Sequence, residues 1–209
     1  MGYLIINKEM KSNMELNKES FIIDNWYGGK QEWLWESSFT SKKNADRSCG
    51  VASAANVIHY LSRENLELGN TAYGNSKDDF IELMKELFIL LKPRFYGIPT
   101  VGKMKRGILN FFANKDINLK ANSKIWIFNQ KDKGDFIKKA ILGGNPVLIL
   151  TWDFKDPQFK NHWVTITGWQ EKDGEEYMIA SNWGNRKIYS YTKWMQESSL
   201  LKGALYFHK

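Results

Sequence analysis

The chain has one cysteine, three histidines and four prolines among 209 residues, and each scarcity narrows what it can be. A single cysteine excludes an internal disulfide and any cluster of thiolate metal ligands. Four prolines beside 16 glycines exclude a collagen-like or low-complexity chain. No apolar run approaches the roughly 20 residues of a membrane-spanning helix; the stretch from Ile141 to Trp152 is broken by Gly143, Gly144, Asn145 and Pro146. The amino terminus lacks the apolar stretch of a secretory signal, since Asn7, Lys8 and Glu9 follow only a few apolar residues. These absences lead to the expectation of a soluble, cytoplasmic protein. The remaining composition, 43% hydrophobic and 25% charged, is that of a globular fold. A chain of this length buries about 70% of its unfolded surface without a covalent staple.

The net charge of +7 comes from one stretch, residues 102–139, which holds ten basic and three acidic residues. Such a stripe suits an anionic polymer. Nine of the ten cations are lysine, however, and no Gly-rich phosphate loop or nucleic-acid motif accompanies them. A solvated basic face is the simpler expectation, with an anionic polymer as the alternative partner.

Helical periodicity dominates the first half. Val51, Ala54, Ile58 and Leu61 share one face of a helix over Cys49 to Ser62, with Asp46 or Ser48 as cap candidates. Phe80, Leu83, Met84, Leu87 and Leu91 form a second stripe over Lys77 to Leu91, which Pro93 stops. Amphipathic segments follow at Lys103 to Asn114 and Gly134 to Leu142. The second half is different: Ser123 to Phe128, Pro146 to Thr151, Trp163 to Trp169, Glu176 to Ala180, Lys187 to Tyr191 and Ala204 to Phe207 read as short strands. Lys172-Asp173-Gly174-Glu175 reads as a hairpin turn. Helices first and antiparallel strands after give an α+β fold. A single domain is expected, with residues 1–45 as an extension or covering segment, 46–122 as a helical lobe and 123–209 as a sheet lobe.

Chemistry must be sought among the scarce residues. Cys49 opens the best helix, where the positive end of the helix dipole favours a thiolate. Gly50, Ala52, Ser53, Ala54 and Ala55 leave room beside the sulfur. A buried structural cysteine is the plainer alternative. A thiolate nucleophile needs a base. His59 lies about 15 Å further along the same helix, and His208 is the penultimate residue. His162, at the start of an apolar strand, remains. If the strands over 163–169 and 176–180 form a hairpin, Asn182 emerges beside His162, because antiparallel neighbours reverse direction. Its amide oxygen can then accept from the imidazole while Trp183 shields the bond. Nine tryptophans are many; packing is their simpler use, and a groove for an extended polymer the sharper one.

Ser48-Cys49-Gly50 with the small-residue helix, then His162-Trp163-Val164 through Gly168, then Asn182-Trp183-Gly184 with Tyr189-Ser190-Tyr191, resembles the papain-like cysteine peptidases. More narrowly, it resembles the bacterial peptidases related to those that remove double-glycine leader peptides. The resemblance implies a papain-like fold, a Cys49–His162–Asn182 triad and hydrolysis of a peptide or protein substrate through an acyl-enzyme, with no cofactor or metal. It also implies an acidic thiol, on the order of pKa 4. The family's glutamine, about six residues before the cysteine, is replaced by Lys43. The resemblance therefore leaves Asn44 and the Cys49 backbone N–H as oxyanion donors. A double-glycine preference would also allow self-cleavage after Gly29.

Two other readings use the same residues. Another papain-fold acyl-transfer enzyme, such as a peptidoglycan amidase or endopeptidase, a deamidase or a transglutaminase-like protein, keeps the triad and changes the substrate. A catalytically silent binding module keeps only the fold, and the missing glutamine is its main support.

Overall fold

The computed structural model describes residues 13–65, 73–127, 134–153 and 155–209. It begins with strand β1 (Asn13–Glu15), a 3-10 turn (Lys18–Phe21) and a minimal hairpin of β2 (Ile22–Ile23) and β3 (Trp26–Tyr27). Two single-turn helices, α1 (Trp33–Glu36) and α2 (Lys42–Ala45), lead into three long ones: α3 (Cys49–Glu64), α4 (Lys77–Leu91) and α5 (Val101–Ala113). Then come β4 (Lys120–Ile127), α6 (Asp135–Leu142), β5 (Val147–Trp152), β6 (His162–Lys172), β7 (Glu175–Asn182), β8 (Asn185–Ser190), α7 (Tyr191–Gln196) and β9 (Leu201–His208). The periodic segments thus form the helices and strands expected of them, although Phe128 lies outside the described residues. The short elements β1, α1, α2 and α7 were not expected, because four residues or so carry no readable period.

The fold is α+β, with one antiparallel sheet in the order β4-β9-β5-β6-β7-β8. Strand β6 organises it. Its first half, His162 to Ile166, pairs with β5. Beyond an irregularity between Ile166 and Gly168, the second half pairs along the same edge with β1. The amino-terminal segment is thereby built into the sheet. On its other edge β6 pairs with β7 through the turn at Asp173 and Gly174, whose φ values are 54° and 77°. Positive φ at both positions matches the right-handed twist of a tight hairpin. The register Thr165↔Ser181 brings the end of β7 to the start of β6.

Helix α3 packs between this sheet and α4, and every residue from Gly50 to Ser62 is buried. The apolar stripe accounts for only one of its faces; small residues let the other faces approach the sheet. A Cβ on Gly50 would stand 2.8 Å from Ile98 Cδ1 and 3.0 Å from Trp163 Cδ1. Polar side chains inside α3 must find partners there: Ser53 donates to the Trp163 carbonyl at 3.0 Å.

Several lysines of the basic stretch have partners within the chain. Lys103 donates to the Lys92 carbonyl and Lys105 to that of Ala121. Lys115 pairs with Glu86, and Lys138 with Glu176. Residues 128–133, with Lys131 and Lys133, lie outside the described residues. No helix among the described residues is long and apolar enough to cross a membrane.

Candidate active site

Cys49 is half-buried in the first turn of α3. Ser48 holds the N-cap position but makes no cap bond. Its hydroxyl donates instead to the Asn44 carbonyl at 2.8 Å, and Asp46 is paired with Lys42 at 3.0 Å. Neither cap candidate caps the helix, so first-turn N–H groups are left to face the sulfur. Burial pushes the Cys49 thiol pKa up, and the backbone N–H groups of Trp163, Gly50 and Cys49 itself pull it back. The acidic thiol implied by the resemblance therefore does not follow from burial and backbone alone. A thiolate here requires a positive partner.

The candidate is His162, which lines the same small cavity as Cys49. His162 is buried at the start of β6, and its Nε2 lies 2.8 Å from Asn182 Oδ1. An amide oxygen only accepts, so Nε2 carries the proton and Nδ1 is left as the basic nitrogen. The Asn182 amide cannot turn freely, because its Nδ2 donates to the Tyr189 hydroxyl at 2.9 Å. That hydroxyl donates in turn to Gln158 Oε1 at 3.1 Å. Trp183 stacks on the imidazole, with ring centroids 4.5 Å apart and planes 20° from parallel. It does so from a backbone φ of 49°, which is costly for a bulky residue and is held by its surroundings. Burial lowers the His162 pKa, while the Asn182 bond and the Glu32 carboxylate raise it.

Cys49 stands between two cavities. The tighter, about 10 Å³, is lined by Cys49, His162, Asn182, Trp183, Gly29 and Gln31. It unites the three residues singled out by the sequence. The wider, about 190 Å³, opens on Arg47, Phe95, Tyr96, Ile98 and Trp152. Phe95 and Tyr96 form the tip of a turn closed by Arg94 and Gly97, and both are well exposed.

Asn44 lines neither cavity. It is exposed, and its amide donates to Thr40 Oγ1 at 3.1 Å. Its side chain is thus engaged at the surface of α2, a placement that sequence spacing cannot show. Besides Asn182 and Asn56, the side-chain amide that lines the tighter cavity is Gln31, 18 positions before Cys49 and only 8% exposed. Its Nε2 donates one proton to the Asp46 carbonyl at 3.1 Å and has a second to offer. Gln31 is the only glutamine ahead of Cys49 and follows a glycine pair, the one signal that could have singled it out.

Gln31 arrives on a strap that begins at Tyr27. Tyr27 N donates to the Gly184 carbonyl, Gly28 N to that of Phe21, and Gly29 N to Asn56 Oδ1. The glycine pair is dictated by space. Gly28 has φ of 80°, and a Cβ there would lie 2.2 Å from Ser181 Oγ; one on Gly29 would lie 2.1 Å from the Phe80 ring. Both glycines are buried. Compared with known proteins, the chain matches no family model and no curated protein.

Proposed function

We propose that the protein is a cysteine peptidase of the papain-like kind, with Cys49 as nucleophile, His162 as acid and base, Asn182 as orienting residue and Gln31 as oxyanion donor. The observation that carries this reading is the lining of one cavity by these four side chains, with the His162 tautomer set by a 2.8 Å bond to Asn182. The substrate's acyl side chains lie in the wider groove beside Phe95 and Tyr96. Cys49 Sγ attacks the carbonyl carbon, its proton passes to His162 Nδ1, and the carbonyl electrons move to the oxygen. The oxyanion accepts from Gln31 Nε2 and the Cys49 backbone N–H. Collapse breaks the C–N bond, and His162 returns the proton to the leaving amine. A water, deprotonated by His162, then attacks the thioester; the acid leaves and the thiol is restored.

Gln31 supports an enzyme over a silent module, because the lack of an oxyanion amide was that module's main ground. The test is cleavage of casein and of a fluorogenic peptide, with a cell-wall suspension in parallel. Cleavage lost in Cys49→Ala and reduced about 10²–10³-fold in kcat in Gln31→Ala is the expected result. Clearing of the wall suspension with casein left intact would move the reading to a wall amidase. Casein cleavage untouched by Cys49→Ala would end it.

A further inference from the structure

We infer that Asn56 is a positioning residue: it locks the Tyr27–Gln31 strap onto α3 and the sheet, and so sets the Gln31 amide beside Cys49. The inference rests on the reading of the site as a thiol hydrolase. Asn56 lies seven residues beyond Cys49 on α3, two turns along the same face, and is 3% exposed. A primary amide buried at that depth is costly unless its donors and acceptor are matched. Here they are matched by both bodies that the site requires. Oδ1 accepts from Gly29 N at 2.8 Å. Nδ2 donates to Ser181 Oγ at 3.1 Å and faces Thr165 Oγ1 at 3.5 Å. Ser181 Oγ donates onward to the Tyr27 carbonyl at 2.7 Å.

One side chain therefore grips the strap at Gly29 directly and at Tyr27 through Ser181, and grips the sheet at both of its hairpin strands. Ser181 directly precedes Asn182, and Thr165 lies three residues after His162. Beyond Gly29 the strap has only two residues to reach Gln31, whose other tether is the Asp46 carbonyl. Fixing the Gly29 N–H thus fixes where the Gln31 amide can stand. Gly28 is required for the same reason, since a Cβ there would also lie 2.7 Å from Asn56 Oδ1. A misplacement of about 1 Å costs an oxyanion donor most of its effect, on the order of 10²-fold.

Two reagents separate this role from a structural one. Iodoacetamide alkylation, in which Sγ displaces iodide from a CH₂ carbon, develops no oxyanion and reads only the thiol–imidazole pair. The peptide aldehyde acetyl-Leu-Leu-norleucinal adds Sγ to its carbonyl carbon, sends the electron pair to oxygen, and so also reads the oxyanion donors. Asn56→Ala and Gln31→Ala should each weaken aldehyde binding by about 10²-fold, with alkylation within twofold of the wild type. The double variant should bind no more weakly than either single one, because both act through the same amide. Unchanged aldehyde binding in Asn56→Ala, or losses that multiply in the double variant, would overturn the inference. If Asn56→Ala does not fold, Ser181→Ala takes its place, with a loss of about tenfold expected and the same two contrary results. If the wild type binds no aldehyde, the hydrolase reading fails by itself. The lock is then read by hydrogen exchange: the Gly29 amide should exchange at least tenfold faster in Ser181→Ala and in any folded Asn56 variant, and unchanged protection would overturn it.

Discussion

A histidine serves as a base toward a thiol only when the nitrogen facing that thiol is unprotonated. Here the tautomer is set several side chains deep, from His162 to Asn182, from Asn182 to Tyr189 and from Tyr189 to Gln158. The last links decide which way the Asn182 amide faces. Without an acceptor for Nδ2, the amide could rotate and present a donor to the imidazole. Tyr189→Phe removes that acceptor and leaves the packing in place. The expected outcome is a roughly tenfold slower alkylation of Cys49 at pH 7 with an unchanged melting temperature, measured by iodoacetamide kinetics and calorimetry. Equal rates in the two proteins would show that Asn182 needs no such support. The residue scale was also the most legible one. Cys49 announced itself by scarcity and by its helix, and His162 by elimination of His59 and His208. Asn182 followed from strand reversal. Gln31 was hidden because it sits on an irregular strap 18 residues upstream, whereas spacing along the chain pointed to Asn44.

At the scale of elements, the site is an agreement between α3, the β6–β7 hairpin and the strap. The first two were readable because long periodic segments carry their own signal. The strap was not, since its position is set by the nearby Phe21 carbonyl and by bonds to Asn56, Ser181 and the Gly184 carbonyl, which are remote in sequence. The same reason hid β1, which adds to β6 only where Thr167 departs from the regular ladder and its carbonyl accepts from Leu16 N at 2.9 Å. Gly28→Ala tests how far the strap depends on its glycines. A Cβ would meet Ser181 Oγ at 2.2 Å from a backbone of φ 80°, so a destabilisation of about 2–3 kcal/mol is expected in urea unfolding. A variant as stable as the wild type would mean that the strap can move away from Ser181 without loss.

For the whole molecule, the clearest cost lies in α3 at a point the site does not use. His59 is 2% exposed, packs edge-on against Phe80 at 5.7 Å, and neither ring nitrogen has a hydrogen-bond partner among the described residues. Burial, helped by the charge of Arg63, lowers its pKa from 6.5 to about 4. The unfolded chain therefore binds more protons than the folded one between those values. Stability should fall as the pH drops from about 6.5 to about 4, by about 3 kcal/mol from this residue. His59→Leu removes the titrating group, so its unfolding free energy should vary less across that window. Equal slopes in the two proteins would place the acid sensitivity elsewhere, His162 included. The α+β class itself was visible in the sequence, since the helical and strand textures divide near the middle of the chain. How the amino-terminal residues enter the sheet was not, because β1 is three residues long.

Whether Cys49 and His162 act as one unit is read by the pH dependence of Cys49 alkylation by iodoacetamide. Burial moves the two groups apart, His162 downward and Cys49 upward, so between them the pair holds one proton to share. The wild type should show a plateau of reactivity that persists below pH 6.5, with a further rise only above about 8.5. In His162→Ala the plateau should vanish, leaving a single inflection at or above the ordinary thiol value. The same single inflection in both proteins would mean that Cys49 and His162 titrate independently.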